Sequence, residues 1–182
     1  MKSIDKMIES YGRHKNLKAA ADELSMNFQT LYWHLKKAGI SCSGDKERYG
    51  SAKDRFGAAA ELEFQKIIPY AEDQNKKRYQ PKVDFLVNSV KFEIKSAKRQ
   101  CLGVGAGGDR WSFTIKKQIE EADFFVLFGF SKSGDVESIF LIPAELIASK
   151  TTVSVSCNGS SKWHDYVLSR EDLAAAVKEI TT

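Results

Sequence analysis

Three side chains that could do chemistry together lie close in the sequence, namely Asp84, Glu93 and Lys95. The pair Asn88 and Ser89 between them is typical of a two-residue hairpin turn, and such a turn would place Asp84 directly opposite Glu93. Because side chains alternate between the two faces of a strand, Lys95 would share the face of Glu93. On the opposite face we expect the apolar residues of the hairpin: Phe85, Val87, Phe92 and Ile94.

Two carboxylates in directly opposed positions have Cβ atoms about 4.5–5.5 Å apart, and they repel each other unless a positive charge lies between them. Mg²⁺ prefers oxygen ligands and binds through one or two carboxylates, water and phosphate oxygens, so Asp84 and Glu93 could hold it. Lys95 could then orient or deprotonate a water molecule, or stabilise charge as a phosphodiester is hydrolysed. An equally good interpretation of the same three residues is the exposed polar face of an edge hairpin.

The elements that must position these residues begin at Phe56. A helical stripe of Ala60, Phe64, Ile67 and Ile68 predicts a helix that Pro69 ends. Alternating or continuous apolar runs then predict strands at residues 83–87, 90–96, 110–114, 122–130 and 138–142, with a helix at 115–121. A short helix after Pro143, a strand of sequence TTVSVS and a closing helix capped by Ser169 and Asp172 complete the pattern. These elements predict an α/β (α+β) domain with a mixed sheet.

The order of elements over residues 56–142 resembles the core of the PD-(D/E)XK nuclease superfamily, which includes restriction enzymes, Holliday-junction resolvases and some homing endonucleases. That core is a helix with an acidic residue, a hairpin carrying D and then ExK, a further strand, a helix and an apolar strand. The resemblance implies a restriction-endonuclease-like mixed central sheet flanked by helices. It also implies hydrolysis of DNA phosphodiesters with Mg²⁺, for which Mn²⁺ would substitute.

Carried over by position, the resemblance assigns the catalytic residues to this chain. The metal-binding acids fall on Asp84 and Glu93 and the lysine on Lys95, while the main-chain carbonyl of Ile94 would be a further ligand. The acidic residue of the helix matches Glu61, which would act catalytically or reach the metal through water. The neighbouring Glu63 is a rival that lies on another face of the helix. In this chain Val83 stands directly before Asp84, where the family has proline.

The first forty residues predict three short helices. The first would cover residues 4–11 and stop at Gly12, and Asn16 and Asn27 would cap the second and third helices before Gly39 ends the run. Residues 13–40 resemble the helix-turn-helix family, whose second helix of the pair lies in the major groove of DNA. That resemblance implies the following DNA contacts: Asn27, Gln29, Thr30, Tyr32 and Trp33 towards the bases, and His34, Lys36 and Lys37 nearer the backbone. The alternative is a small helical bundle used for protein contacts or dimerisation.

The composition agrees with one ordinary domain and a small appendage. We assign residues 1–40 to the helix-turn-helix module, 41–55 to a linker rich in Ser, Gly and charge, and 56–182 to the nuclease-like domain. The formal charge of +4 is uneven, because residues 51–120 carry 14 basic and 9 acidic side chains and residues 121–182 carry 5 and 9. Three cysteines without metal-site spacing favour an intracellular location. No segment approaches the roughly 20 apolar residues of a membrane span.

The basic middle segment indicates further contacts with DNA. Lys98 and Arg99 precede a glycine-rich loop at residues 103–108 and Arg110 follows it, so the loop could fold against a DNA backbone or be an ordinary hairpin loop. We expect a site-directed endonuclease of restriction, homing, mobile-element or phage origin, acting on double-stranded DNA as a homodimer or homotetramer. The alternatives are a DNA-binding regulator with a non-catalytic nuclease fold, and a Holliday-junction-type resolvase.

Overall fold

A computed structural model describes residues 3–14, 16–40, 42, 52–77, 82–101, 108–115 and 121–182. The chain divides into two compact units, Met1–Ala58 and Ala59–Thr182. None of the helices in the described ranges has the length and apolar character that crossing a membrane requires.

The N-terminal unit contains the three predicted helices: α1 (Ile4–His14), α2 (Leu17–Glu23) and α3 (Phe28–Lys37). The predicted N-caps are confirmed, because Asn16 Oδ1 accepts a hydrogen bond from the Ala19 N–H at 2.9 Å and Asn27 Oδ1 accepts one from Gln29 N–H at 2.8 Å. The predicted end of α1 at Gly12 is wrong. A glycine inside a helix costs only about 1 kcal/mol relative to alanine, which the burial of α1 against its neighbours offsets.

The core of this unit is formed by apolar residues from all three helices: Met7, Tyr11, Ala20, Ala21, Leu24, Leu31 and Leu35. Glu23 of α2 also ties the unit together, since its carboxylate accepts hydrogen bonds from Ser10 Oγ at 2.6 Å and Arg13 Nη2 at 2.8 Å. The hydrogen bond from Ser10, followed by contacts with His14 and Arg13, lowers the pKa of Glu23 despite partial burial. The turn between α2 and α3 contains Ser25 with a positive φ of 47°.

The C-terminal unit is built on a six-stranded sheet in the order β1-β2-β3-β5-β6-β8. Its strands are β1 (Glu72–Asp73), β2 (Phe85–Val87), β3 (Val90–Lys98), β5 (Phe124–Phe130), β6 (Val136–Pro143) and β8 (Val167–Leu168). The central pair β3 and β5 runs parallel, and the other pairs of this sheet are antiparallel. The predicted α+β class with a mixed sheet is therefore confirmed.

Two further strands form a separate antiparallel ladder, β4 (Arg110–Thr114) with β7 (Thr152–Ser156). From residue 52 onwards, the helices among the described residues are α4 (Ala52–Ile67), which begins before the unit boundary at Ala58, α5 (Gln74–Lys77) and α6 (Arg170–Ile180), with 3₁₀ turns at Ala144–Ile147 and Lys162–Tyr166. The predicted cap of α6 is confirmed, because Ser169 Oγ accepts from the Asp172 N–H at 3.0 Å. The helix predicted after Pro143 is a 3₁₀ turn instead, too short to form regular α-helical bonds.

Several boundaries differ from the sequence prediction: β2 and β5 begin two residues later than predicted, at Phe85 and Phe124, and β6 begins two residues earlier, at Val136. Helix α4 begins at Ala52, inside the segment assigned to a linker, because a charged stretch without apolar spacing still contains good helix formers. The helix predicted at 115–121 covers residues 116–120, which lie outside the described residues. The elements β1, α5 and β8 were not predicted, since strands and helices of two to four residues have too few positions to show a period.

The two faces of the large sheet are covered differently. On one face, Phe64 of α4 packs its ring on Phe85 and Phe92, with centroid distances of 4.9 Å and 5.8 Å. On the other face, the β4–β7 ladder contributes Trp111, Phe113, Val153 and Val155 to a core shared with β5 and β6. Strand β5 is thus buried on both faces, which explains why its sequence is a nearly continuous apolar run.

A close approach of the two sheets occurs at Gly129 of β5. The indole of Trp111 lies over this residue and donates from Nε1 to the Phe130 carbonyl at 3.0 Å. A Cβ atom on Gly129 would come within 2.8 Å of the Trp111 ring. Only glycine therefore leaves room for the tryptophan in this position.

Replacing Gly129 with alanine should destabilise the C-terminal unit by about 1–3 kcal/mol, because the ring or the strand must move. Urea unfolding measures the effect. The matched control is Gly57→Ala in α4, where a new Cβ meets nothing within 4 Å. The control should be neutral or stabilising by up to about 1 kcal/mol, as alanine favours helix. Equal stability of the two variants would contradict the proposed packing.

Candidate metal-binding and catalytic site

The hairpin that carries the candidate acids has the predicted register. Phe85 pairs with Phe92 and Val87 with Val90. Asn88 and Ser89 form the turn, and both have a positive φ, of 45° and 77°, as a type I′ turn requires. The apolar face expected from alternation is confirmed, since Phe85, Val87, Phe92 and Ile94 are all buried.

The predicted backbone pairing of Asp84 with Glu93 is not formed, because the β2–β3 ladder ends at Phe85. Beyond that point the side chain of Asp84, and not a backbone carbonyl of the neighbouring strand, accepts the hydrogen bond of β3: its Oδ2 accepts from the Ile94 N–H at 2.8 Å. In a strand, the N–H and C=O of one residue point to the same side. The Ile94 carbonyl, the predicted main-chain ligand, therefore points to the side of β3 on which Asp84 lies.

Glu93 is the buried carboxylate of this site, with only 2% of its surface exposed. Lys95, two residues along the same face of β3, donates from Nζ to Glu93 Oε1 at 2.5 Å. Burial raises the pKa of Glu93 to about 7, and repulsion by Asp84 and Glu61 adds to the effect while Lys95 opposes it. Lys95 alone therefore leaves the negative charge in this site incompletely balanced.

Glu61 reaches the same site through a residue that the sequence did not indicate. Asn75 of α5 donates from Nδ2 to Glu61 Oε2 and to Asp84 Oδ1, both at 3.3 Å. The rival acid Glu63 forms ion pairs with other residues, with Lys66 at 2.7 Å and with Arg170 at 2.6 Å. No pattern singled out Asn75, because it lies in a polar stretch and approaches Asp84 only in the folded chain.

The structure thus brings together the four predicted catalytic residues: Glu61, Asp84, Glu93 and Lys95. In the part of the chain that the structure describes, no three His, Cys, Asp or Glu side chains already form a metal-binding group. The donors nevertheless suit Mg²⁺, which uses one or two carboxylates and completes its shell with water. The raised pKa of Glu93 is a second sign of fit, since a bound cation would stabilise the charged form.

The predicted DNA contacts in and next to α3 differ in how exposed they are and in the contacts they already make. Gln29, Thr30, Trp33 and Lys37 are exposed, and 57% of the Trp33 surface is accessible. Cation–π contacts link the basic and aromatic residues, with Lys37 Nζ 5.1 Å from the Trp33 ring centroid and Lys36 Nζ 5.7 Å from that of Tyr32. The Asn27 side chain is engaged as the helix cap, and the rings of His34 and Trp33 pack at nearly a right angle, with an interplanar angle of 81°.

The predicted contacts of the C-terminal unit are less uniform. Lys98 is exposed at the end of β3. Arg99 forms ion pairs with Asp109 at 2.8 Å and Glu137 at 3.3 Å, so a DNA phosphate would compete with two carboxylates for it. Arg110 belongs to β4 and forms a β-bridge with the residue after Arg99. Residues 102–107 of the glycine-rich loop lie outside the described residues.

Comparison of the chain with models of known protein families and with curated proteins gave no match.

The raised pKa of Glu93 predicts a specific dependence of stability on pH. Between its ordinary pKa of 4.5 and about 7, the folded protein keeps a proton that the unfolded chain has lost, so stability falls as pH rises through this window. Glu93→Gln should remove this fall in stability with rising pH, because glutamine does not titrate. From about pH 4.5 to about pH 8, the unfolding free energy of the variant should gain up to about 3 kcal/mol relative to wild type.

Urea unfolding at several pH values, in EDTA, measures this difference. Glu145→Gln makes the same chemical change on an exposed carboxylate and serves as the control. A difference between Glu93→Gln and wild type that stays constant over the window would contradict the assignment of a raised pKa to Glu93.

Proposed function

We propose that this chain is a divalent-metal-dependent DNA endonuclease of the PD-(D/E)XK type. The observation that carries the proposal is the buried Glu93–Lys95 pair, placed beside Asp84 at the open end of the β2–β3 ladder. Glu93 is paired with Lys95, but burying a carboxylate is costly, and this one also has a second carboxylate as neighbour. Such an arrangement is unfavourable for packing alone and is suited to a bound cation and an anionic substrate.

Each residue has a distinct role in the proposed reaction. Asp84 and Glu93, with the Ile94 carbonyl, would hold Mg²⁺, which on binding neutralises phosphate charge and makes a bound water more acidic. Lys95 orients the attacking water from the same face of β3 and stabilises negative charge on the phosphate oxygens. The water oxygen forms a new bond to phosphorus and releases one proton to solvent, the bond to the leaving oxygen breaks, and that oxygen takes up a proton from solvent. Glu61 assists through water or the metal shell.

DNA recognition is assigned to α3 of the N-terminal unit. Its exposed amide and hydroxyl groups, Gln29 and Thr30, can bond to base edges, and Lys36 and Lys37 can contact phosphates. Lys98 is a candidate contact in the second unit. This division supports cleavage at chosen duplex sites, of the kind that restriction, homing, mobile-element or phage enzymes perform inside cells. Because cutting both strands takes two active sites, we propose a homodimer or homotetramer.

A second candidate is a DNA-binding regulator whose nuclease-like unit does not cleave. One observation favours it: the Glu93 carboxylate already has an ammonium partner in Lys95 at 2.5 Å. The pair could therefore persist as a buried salt bridge without a metal. Against this candidate, Asp84 lies close enough to repel the Glu93 carboxylate, and a purely structural pair would not need a second carboxylate beside it.

Purified protein with Mg²⁺ should cleave plasmid or genomic DNA, and EDTA should abolish cleavage. Glu93→Gln and Lys95→Ala should each lower the single-turnover rate by about 100-fold or more, because charge stabilisation in the transition state is lost. Agarose gels over a range of enzyme concentrations follow the reaction. The controls are Glu145→Gln and Lys178→Ala, which make similar changes at exposed positions.

Intact DNA in every wild-type reaction, with linear and branched substrates and a genomic mixture, would argue for the regulator. Cleavage confined to four-way junctions would identify a resolvase instead of a site-directed enzyme.

Substitutions in α3 should separate base contacts from phosphate contacts. Gln29→Ala should weaken binding to a selected duplex by about 1–3 kcal/mol and relax its sequence preference, whereas Lys37→Ala should weaken binding to all duplexes and lower the salt dependence. Fluorescence anisotropy in Ca²⁺ at several salt concentrations measures both effects. Lys6→Ala, on an exposed position of α1, is the control. If neither α3 variant differed from this control, DNA recognition by α3 would be refuted.

A further inference from the structure

Asn75 occupies a position between two carboxylates of the candidate site. Its Nδ2 lies 3.3 Å from Glu61 Oε2 and 3.3 Å from Asp84 Oδ1, so one amide group donates to acids from two different elements. Two carboxylates that point at the same small region repel each other. The amide group offers them hydrogen-bond donors in place of a positive charge.

The backbone around Asn75 fixes this placement. The preceding residue, Gln74, donates from its N–H to the Asp84 carbonyl at 2.9 Å, and its buried side chain donates to the Glu72 carbonyl at 3.0 Å. Directly before it, Asp73 pairs with Phe85 in the β1–β2 ladder. The first turn of α5 is therefore bonded to the chain at Asp84, directly before β2. This bond places Asn75, the second residue of α5, beside the candidate site.

We infer that Asn75 is a positioning residue of the metal site, which holds Glu61 against Asp84. The inference rests on the proposed function and deepens it. Asp84 is fixed at both oxygens, with Oδ2 held by the Ile94 N–H at 2.8 Å and Oδ1 by Asn75. Glu61 belongs to α4, and its bond to Asn75 links it to this fixed carboxylate. Through that link, Asn75 sets how close Glu61 comes to a cation bound at Asp84 and Glu93.

A purely structural role would be different. Asn75 would then only connect α4 to α5, and its loss would lower stability without changing what the acids bind. The two roles are separated by substitutions that change the hydrogen-bond donor while the backbone stays the same. Asn75→Ala removes the donor, and Asn75→Asp keeps the size of the side chain but adds a third carboxylate beside Glu61 and Asp84.

The test measures Mn²⁺ binding to the full chain without DNA, by isothermal titration calorimetry. Asn75→Ala should bind Mn²⁺ about tenfold more weakly, the range found when a partner that orients metal ligands is lost. Asn75→Asp should be less stable than wild type in EDTA, and Mn²⁺ should raise its melting temperature by more than it raises that of wild type. The control is Asn158→Asp, the same change in an exposed turn, which should leave Mn²⁺ binding unchanged.

Cleavage gives the second measurement. Asn75→Ala should lower kcat and leave KM for DNA unchanged, since the α3 contacts are intact. Wild-type Mn²⁺ affinity in both Asn75 variants, at any stability, would overturn the positioning role. Near-UV circular dichroism identifies folded variants, and if Asn75→Ala does not fold, the response of Asn75→Asp to Mn²⁺ decides.

The proposed function and this inference fail in different ways. Wild-type protein that binds Mn²⁺ but cleaves no DNA would overturn the nuclease function, while weaker Mn²⁺ binding by Asn75→Ala would still support the positioning role. Wild-type protein that cleaves DNA, with Asn75 variants that match it in Mn²⁺ affinity and kcat, would overturn the positioning role alone. Wild-type protein that binds no Mn²⁺ would overturn both.

Discussion

The burial of Glu93 beside Asp84 is the constraint on which the C-terminal unit depends. A carboxylate that is almost fully enclosed raises the free energy of the folded state unless a cation or a hydrogen-bond donor balances it. Lys95 supplies one donor, but the pKa of Glu93 still rises to about 7. Hydrophobic packing elsewhere in the unit offsets this cost, and the proposed metal site would give it a purpose.

The hydrophobic packing that offsets the burial of Glu93 comes from two layers, one on each face of the large sheet. Helix α4 packs Phe64 against the hairpin on one face of the sheet, and the β4–β7 ladder covers β5 and β6 on the other. The contact between Trp111 and Gly129 shows how tightly the second layer fits. A rigid sheet keeps the side chains of β3 in place, which the proposed site at Glu93 and Lys95 would need, because small displacements would weaken the proposed metal binding and water positioning.

The N-terminal unit follows simpler rules. Two asparagine caps and an apolar stripe specify its helices, and Glu23 joins α1 to α2 through Ser10 and Arg13. The residues left on the outside of α3 are amide, hydroxyl, aromatic and basic. These residue types are the basis of the proposed DNA contact, whereas a dimerisation surface would be expected to carry more apolar residues.

Local signals in the sequence determined the caps at Asn16, Asn27 and Ser169, the hairpin turn at Asn88 and Ser89, and the apolar run of β5. Each depends on neighbours a few residues away, so period and turn chemistry suffice. The grouping of Asp84, Glu93 and Lys95 followed from the hairpin register. Tertiary structure alone decided that the ladder ends at Phe85, that β4 leaves the main sheet, and that Asn75 joins Glu61 to Asp84. These features depend on contacts between residues far apart in the chain, which no local pattern encodes.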